Sequence, residues 1–322
     1  MLLASSCVDI PDYNNTSRDN FEALWSIMDE HYCFFEYKNV DWDSIHTVYS
    51  QRIGNDMSSE SLFLLLNEML QTLQDGHVNL STPFDVGRYW KWFEDYPANY
   101  DQTLIDGLLG TDYRIASGMR YKVLDDNIGY IRYADFSSGL GESNLDYVIE
   151  AFGLCDGIII DVRNNGGGLL SNSDRFAARF FNQRDTVGYI RHKTGKGHND
   201  FSAPYPVSIE PSTRLRYQKP VIVLTNRSCF SATNDFVNAM RRAPTVTILG
   251  DKTGGGSGLP FNSELPNGWS VRFSACPMLD AAMRQIEFGI EPDVPVDLRK
   301  EDLLEGKDTM IEAARQKIKE IN

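Results

Sequence analysis

Lys219–Met240, KPVIVLTNRSCFSATNDFVNAM, is the stretch from which the rest of the chain can be read. Val221–Thr225 is a continuous apolar and β-branched run that stops at Asn226-Arg227-Ser228, as a strand buried on both faces of a parallel sheet does. From Ser231 onward the period changes. Phe236, Val237 and Met240 recur at helical spacing, with Asn234 and Asp235 in the first turn. A serine at such a strand-to-helix turn presents its hydroxyl at the C-terminal edge of a sheet, beside backbone N–H groups and the positive end of a helix dipole. Two readings fit that position: a capping residue, for which serine is favoured, or an activated nucleophile.

A second strand–turn–helix lies upstream. Gly157–Val162 (GIIIDV) is apolar up to its aspartate and is followed by Arg163-Asn164-Asn165-Gly166-Gly167-Gly168, then by a helix-like pattern from Leu169 to Phe181. Consecutive glycines after a strand let a ligand approach the main chain closely, and their N–H groups can stabilise a developing oxyanion. A tight turn explains one glycine well and three poorly. Neither G-x-x-x-x-G-K-[ST] nor G-x-G-x-x-G occurs in register, which argues against nucleotide binding.

From Ile128 onward strands alternate with helices: GYIRYADF, GIIIDV, PVIVLT, TVTILG and SVRFSA. This predicts an α/β core with a largely parallel sheet over residues 128–300, closed by a helix at 301–322. Residues 19–80 instead carry helical periodicity (Phe21, Leu24, Trp25, Met28; then Leu62, Leu65, Leu66, Met69, Leu70, Leu73) and form an N-terminal helical domain. Residues 81–127 read as a short connector. Its aromatic run Tyr89–Pro97 brings Trp90, Trp92 and Phe93 either to a substrate groove or to packing between domains. Asn182–Gln218 is long and polar, as a lid, binding loop or insertion would be.

DVRNNGGGLL (Asp161–Leu170), SATN (Ser231–Asn234), TGGGSG (Thr253–Gly258) and GIEPDVPV (Gly289–Val296) resemble the tail-specific, or C-terminal-processing, serine peptidases of the S41 clan, which includes the tricorn protease core. The helical stretch FEALWSIMDEHYCFFEYKNVDWDSI and LLNEMLQTLQDGHVNL resembles the domain that precedes that core. The resemblance runs from about Asn20 to Asp297, with four motifs in order. It implies a crotonase/ClpP-like spiral β-α core. It also implies Ser231 as nucleophile and an oxyanion hole built from the amides of Gly167 or Gly168 and of Ala232, with no cofactor.

Two departures shape the expectation. The Ser–Lys branch of the family has E-P-T-x-G-K after the nucleophile, whereas this chain reads Asp251-Lys252-Thr253-Gly254-Gly255-Gly256. A glycine stands at the lysine's place, and Lys252 is out of register. A peptide-binding PDZ domain needs roughly a hundred residues, and the connector leaves no room for one. With the lysine gone, the resemblance to the tricorn-like branch, which has G-H-[TV] here, makes His77 in Gln74-Asp75-Gly76-His77-Val78 the general base. His31, His46, His192 and His198 have no comparable setting. The third member, which orients the histidine, is Glu287 by resemblance, with Asp293 and Asp75 as alternatives.

Composition is consistent with a soluble enzyme, and the resemblance implies protein or peptide substrates. The chain has 322 residues, 42% hydrophobic, enough to bury a large core. Its formal net charge of −14 argues against nucleic-acid partners. The five cysteines are scattered, and nothing has metal-ligand spacing. Residues 1–18 read as the remnant of a bacterial lipoprotein signal and a polar tether, with small residues before Cys7. That implies export, a possible lipid anchor through Cys7 and a place in the cell envelope, in the periplasm or on the outer membrane. Two other functions fit the same fold. One is a catalytically inactive binder of peptides or hydrophobic ligands. The other is an acyl-CoA enzyme, disfavoured because no basic patch is evident for the CoA phosphates.

Overall fold

The computed structural model describes residues 13–321, so the Cys7 expectation lies outside the described residues. They fall into two units, a smaller one of residues 13–89, 193–201 and 260–275 and a larger one holding the remainder.

The smaller unit carries α1 (Ser17–His31), α2 (Trp42–Ser50) and α3 (Ser59–Gln71). Each begins at a side-chain cap: Thr16, Asp41 and Ser58 accept the N–H groups of Asp19, Ser44 and Ser61. The buried faces are those the periodicity picked out, Phe21, Leu24 and Met28 on α1 and Leu62, Leu65, Leu66, Met69 and Leu70 on α3. Beyond α3 the chain turns through Gln74, which has a φ of 48°. It then forms the hairpin of β1 (Asn79–Ser81) and β2 (Val86–Gly87). Residues 270–272 run antiparallel to β1.

The larger unit opens with α4 (Lys91–Glu94), α5 (Gln102–Leu109), β3 (Arg114–Ala116), β4 (Met119–Val123) and β5 (Ile128–Tyr133). Next come α6 (Glu142–Ala151), β6 (Gly157–Asp161), α7 (Leu170–Ala177), β7 (Asp185–Ile190) and β8 (Tyr205–Ile209). The stretch 219–240 forms β9 (Val221–Thr225) and α8 (Ala232–Met240), followed by β10 (Val246–Gly250) and β11 (Gly258–Glu264). The chain ends with β12 (Ser270–Asp280), β13 (Val294–Pro295), α9 (Lys300–Leu304) and α10 (Thr309–Ile321).

Seven strands order as β13-β10-β9-β6-β5-β4-β3, parallel from β13 to β5 and antiparallel at β4 and β3. β6 and β9 are buried throughout, which is why both are apolar without alternation. Ile158, Ile160, Val221 and Val223 face α6, α7 and α8 through Val148, Phe176 and Phe236. Ile159, Ile222 and Leu224 face Ile105 and Leu109 of α5 and Met310, Ile311, Ala314 and Ile318 of α10. The C-terminal helix thus shares with α5 one of the two layers covering the sheet. Arg163 ties it down, reaching Asp161 Oδ2 at 2.7 Å and Asp308 Oδ2 at 2.9 Å with its side chain fully buried.

Two expectations change. SVRFSA does not join the parallel sheet. It begins β12, whose first residues pair antiparallel with β1 and whose Met278–Asp280 pair antiparallel with β7. Alternating side chains show that a segment is a strand but do not name its partner. The stretch 81–127 is also more than a connector, because β3 and β4 extend the core sheet at its β5 edge.

Candidate active site

Ser231 lies between β9 and α8 with φ 59° and ψ −124°, a backbone conformation that costs a non-glycine residue of order 1–3 kcal/mol. Its side chain makes no capping hydrogen bond to the helix it precedes, so the capping role is not the one this serine plays. Two loops fix the turn. Phe230 donates its N–H to Asn165 O at 3.1 Å, and Ser231 donates its own to Gly255 O at 2.9 Å.

The first glycine loop packs directly on the serine. A Cβ at Gly167 (φ 100°) would lie 2.7 Å from Phe230 O, 2.8 Å from Ser231 Cβ and 2.9 Å from Ala232 N. The Gly167 N–H already donates to Asn165 Oδ1 at 2.9 Å. Among the described residues no acceptor takes the N–H of Gly168 or of Ala232. Of the two glycines expected to serve an oxyanion, Gly168 is the one whose amide is uncommitted. The loop is pinned from its other side, where Phe136 donates to Gly167 O at 2.8 Å and Leu169 donates to Phe136 O at 3.1 Å.

The second glycine loop explains the missing lysine. A Cβ at Gly256 would stand 2.4 Å from the Phe230 ring, which itself stacks on Trp92 with centroids 4.2 Å apart. A lysine side chain has no way out from that backbone. Lys252 pairs instead with Glu291, Nζ to Oε1 at 2.9 Å. Trp92, read as lining a groove or packing between domains, packs on Phe230, the residue before Ser231.

Glu287 is buried, 5% exposed, and its Oε2 accepts the Ser257 N–H at 2.8 Å. Its carbonyl accepts the Gly256 N–H at 3.0 Å. The one peptide group between Gly255 and Gly256 therefore serves both residues, its C=O accepting from Ser231 and its N–H donating to the Glu287 carbonyl. Asp293 is engaged elsewhere, its Oδ2 accepting the Ile248 N–H at 2.8 Å, which ties the 289–296 turn to β10.

Ser231, Ala232, Gly167, Gly168 and Glu287 thus gather at adjoining loop ends of the larger unit. His77 belongs to the smaller unit. It is 3% exposed, and its backbone N–H donates to Asp75 Oδ1 at 2.8 Å. Burial pushes the imidazole down to about 4, with the nearby Asp75 charge opposing and Arg272 and Lys38 adding to the fall. Of the other histidines, His46 pairs with Glu22 at 2.8 Å and His198 with Asp29 at 2.6 Å. Cys229, two residues before Ser231, is a packing residue. Burial pushes its thiol up to about 12, and it donates to Val162 O at 3.1 Å.

Two asparagines that the sequence shows but whose roles it does not reveal hold the loops together. Asn165 Oδ1 accepts from Thr233 Oγ1 at 2.6 Å as well as from Gly167, so it joins the glycine loop to α8. Asn234 accepts from Thr253 Oγ1 at 2.6 Å and donates to Ile286 O at 3.2 Å, which fixes the segment bearing Glu287. Both stand inside motifs, and buried polar side chains beside glycine turns are the signal that could have marked them.

Residues 127–296 match the model of Peptidase family S41, and residues 13–71 match that of the Tricorn protease C1 domain. The first match spans more than half of the chain, and the chain belongs to peptidase family S41. A crystal structure of a candidate peptidase from Parabacteroides merdae is 57% identical, with a TM-score of 0.91 over 95% of this chain and 97% of that one. The carboxy-terminal processing protease CtpA of Bacillus subtilis is 25% identical over 177 residues, 54% of this chain and 36% of that protein. The tricorn protease of Thermoplasma acidophilum is 29% identical over 191 residues, 58% of this chain and 16% of that protein. The chain therefore spans well under half the length of these two curated relatives. Among the described residues no helix is long and apolar enough to cross a membrane.

Proposed function

We propose that this chain is a serine peptidase that hydrolyses peptide bonds of proteins or peptides by a Ser–His–carboxylate mechanism. Ser231 Oγ attacks the scissile carbonyl while His77 takes its proton, and the amides of Gly168 and Ala232 stabilise the resulting oxyanion. His77 then gives the proton to the departing amine. Water repeats the sequence to release the acyl group, and Glu287 favours the charged imidazole in both halves. The observation that carries this reading is the strained Ser231 backbone, which lacks a capping bond and stands beside two amides with no acceptor. A fluorophosphonate probe followed by peptide mapping tests it. Covalent labelling of Ser231 in the native protein is the expected result, and a folded protein that takes no label there would remove the assignment.

The same proposal includes an envelope location with a lipid on Cys7, supported by the small residues that precede that cysteine. Metabolic labelling with an alkyne fatty acid tests it, a Cys7→Ser form being expected to take up none.

A further inference from the structure

The histidine turn of the smaller unit is held by a buried ion pair that the mechanism above does not use. Lys38 Nζ stands 3.3 Å from Asp75 Oδ2, with the two side chains 4% and 0% exposed. The carboxylate has a full set of donors. Oδ2 also accepts from Tyr32 Oη at 2.9 Å and Ser274 Oγ at 3.0 Å, and Oδ1 accepts the His77 N–H. Lys38 Nζ reaches in addition to Gln74 O at 3.3 Å, the carbonyl of the residue held at a φ of 48°. One lysine therefore grips two successive residues of the turn that ends in His77, and the Asp75 carboxylate joins that turn to the end of α1 and to β12.

A buried ion pair is a poor device for stability alone, because desolvation offsets most of its attraction. Its placement gives it another use. We propose that Lys38 and Asp75 are a positioning pair for His77, Lys38 clamping the Gln74–Asp75 turn while the two charges act on the imidazole in opposite senses. The inference rests on His77 being the general base. The charged and titratable groups that face the ring within this unit are Asp75 on its own turn, Lys38 from the segment after α1, and Arg272 from β12. Asp75 favours the protonated ring, whereas Lys38 and Arg272 favour the neutral one, which is the form a base needs. Removing Lys38 leaves the carboxylate less opposed, so the ring should become easier to protonate.

The test follows the His77 imidazole by NMR in the full chain as pH is varied, its resonance identified by loss in His77→Gln. The kcat/KM profile on casein is measured beside it. Lys38→Met should raise the imidazole midpoint by about one pH unit, in the range a nearby charge produces, and the acid limb of kcat/KM should move with it. Lys38→Arg should return both to the parent values. The double variant Lys38→Met/Asp75→Asn removes both charges together and so leaves no uncompensated charge in the interior. It should lower the midpoint below the parent's, since the carboxylate bonded to the residue's own N–H is the stronger influence. A midpoint unmoved in Lys38→Met and in the double variant, or rising in both, overturns the proposal. Retained turnover in His77→Gln would instead remove the base assignment, and the NMR midpoints would still decide what the pair does.

Discussion

Gly167 lies against Ser231, so closely that a single added methyl group on the glycine would fall 2.8 Å from the serine Cβ. The glycine loop is therefore a wall of the Ser231 turn, and the strained Ser231 conformation is maintained against it.

Gly167→Ala should accordingly impair both fold and catalysis. The new methyl group meets backbone atoms that cannot rotate away, at a φ that alanine resists. Overpacking of this kind costs about 1–3 kcal/mol, and the Ser231 turn is what must move. Circular-dichroism melting together with turnover of unfolded casein should show a lowered Tm and a kcat reduced at least tenfold. A variant with both at parent values would show that the loop is free to retreat.

The acid limb of kcat/KM should lie near pH 4, well below the 6.5 of an unperturbed histidine, because burial holds the His77 ring neutral. His77→Ala should lose roughly 10²–10⁴-fold, the usual share of a general base. Lys252→Ala should change the rate less than about tenfold, since its amine is paired with Glu291 at the surface. An inactive Lys252→Ala beside an active His77→Ala would make the lysine the base.

Glu287→Gln keeps the side chain's shape and its capacity to accept the Ser257 N–H, and removes only the charge. If the carboxylate stabilises the imidazolium, kcat falls while KM stays close to the parent value. Asp293→Asn should behave differently, weakening the bond to Ile248 and appearing as a lower Tm with kcat preserved.

Asp235, one turn into α8, is pushed up to about 7, by burial first and by the neighbouring Asp174 second. A carboxyl with a raised folded value stabilises the fold below its unfolded pKa, and that contribution is lost as pH rises through the folded value. The window runs from about 4 to about 7. Asp235→Asn stays neutral and can keep the contact with Ser173 Oγ. Its Tm relative to the parent should climb between pH 4 and 7 and level off above. A difference that does not vary with pH would show that Asp235 is solvated as an ordinary carboxylate.

The apolar runs GIIIDV and PVIVLT revealed β6 and β9, and with them the turns bearing Gly168 and Ser231, because strands buried on both faces have little choice of composition. The partner of SVRFSA was not legible, since pairing is decided by residues nearly two hundred positions away, at 79–81. The same holds for the site's chemistry. His77 could be singled out from its G-H-V setting, but not its depressed basicity, which comes first from burial in the folded chain and then from Arg272 and Lys38 on distant segments. Glycine at position 256 could be read as a missing lysine, whereas the cause, the Phe230 ring stacked on Trp92, exists only once the chain has folded.

The central claim is that Ser231 is the nucleophile, and the most direct measurement is the turnover of an unfolded protein substrate by Ser231→Ala beside the parent chain. The alanine removes only the hydroxyl, which makes no capping bond to α8, so the melting temperature should stay within a few degrees. Hydrolysis should drop to background. Turnover retained in a folded Ser231→Ala chain would contradict the account.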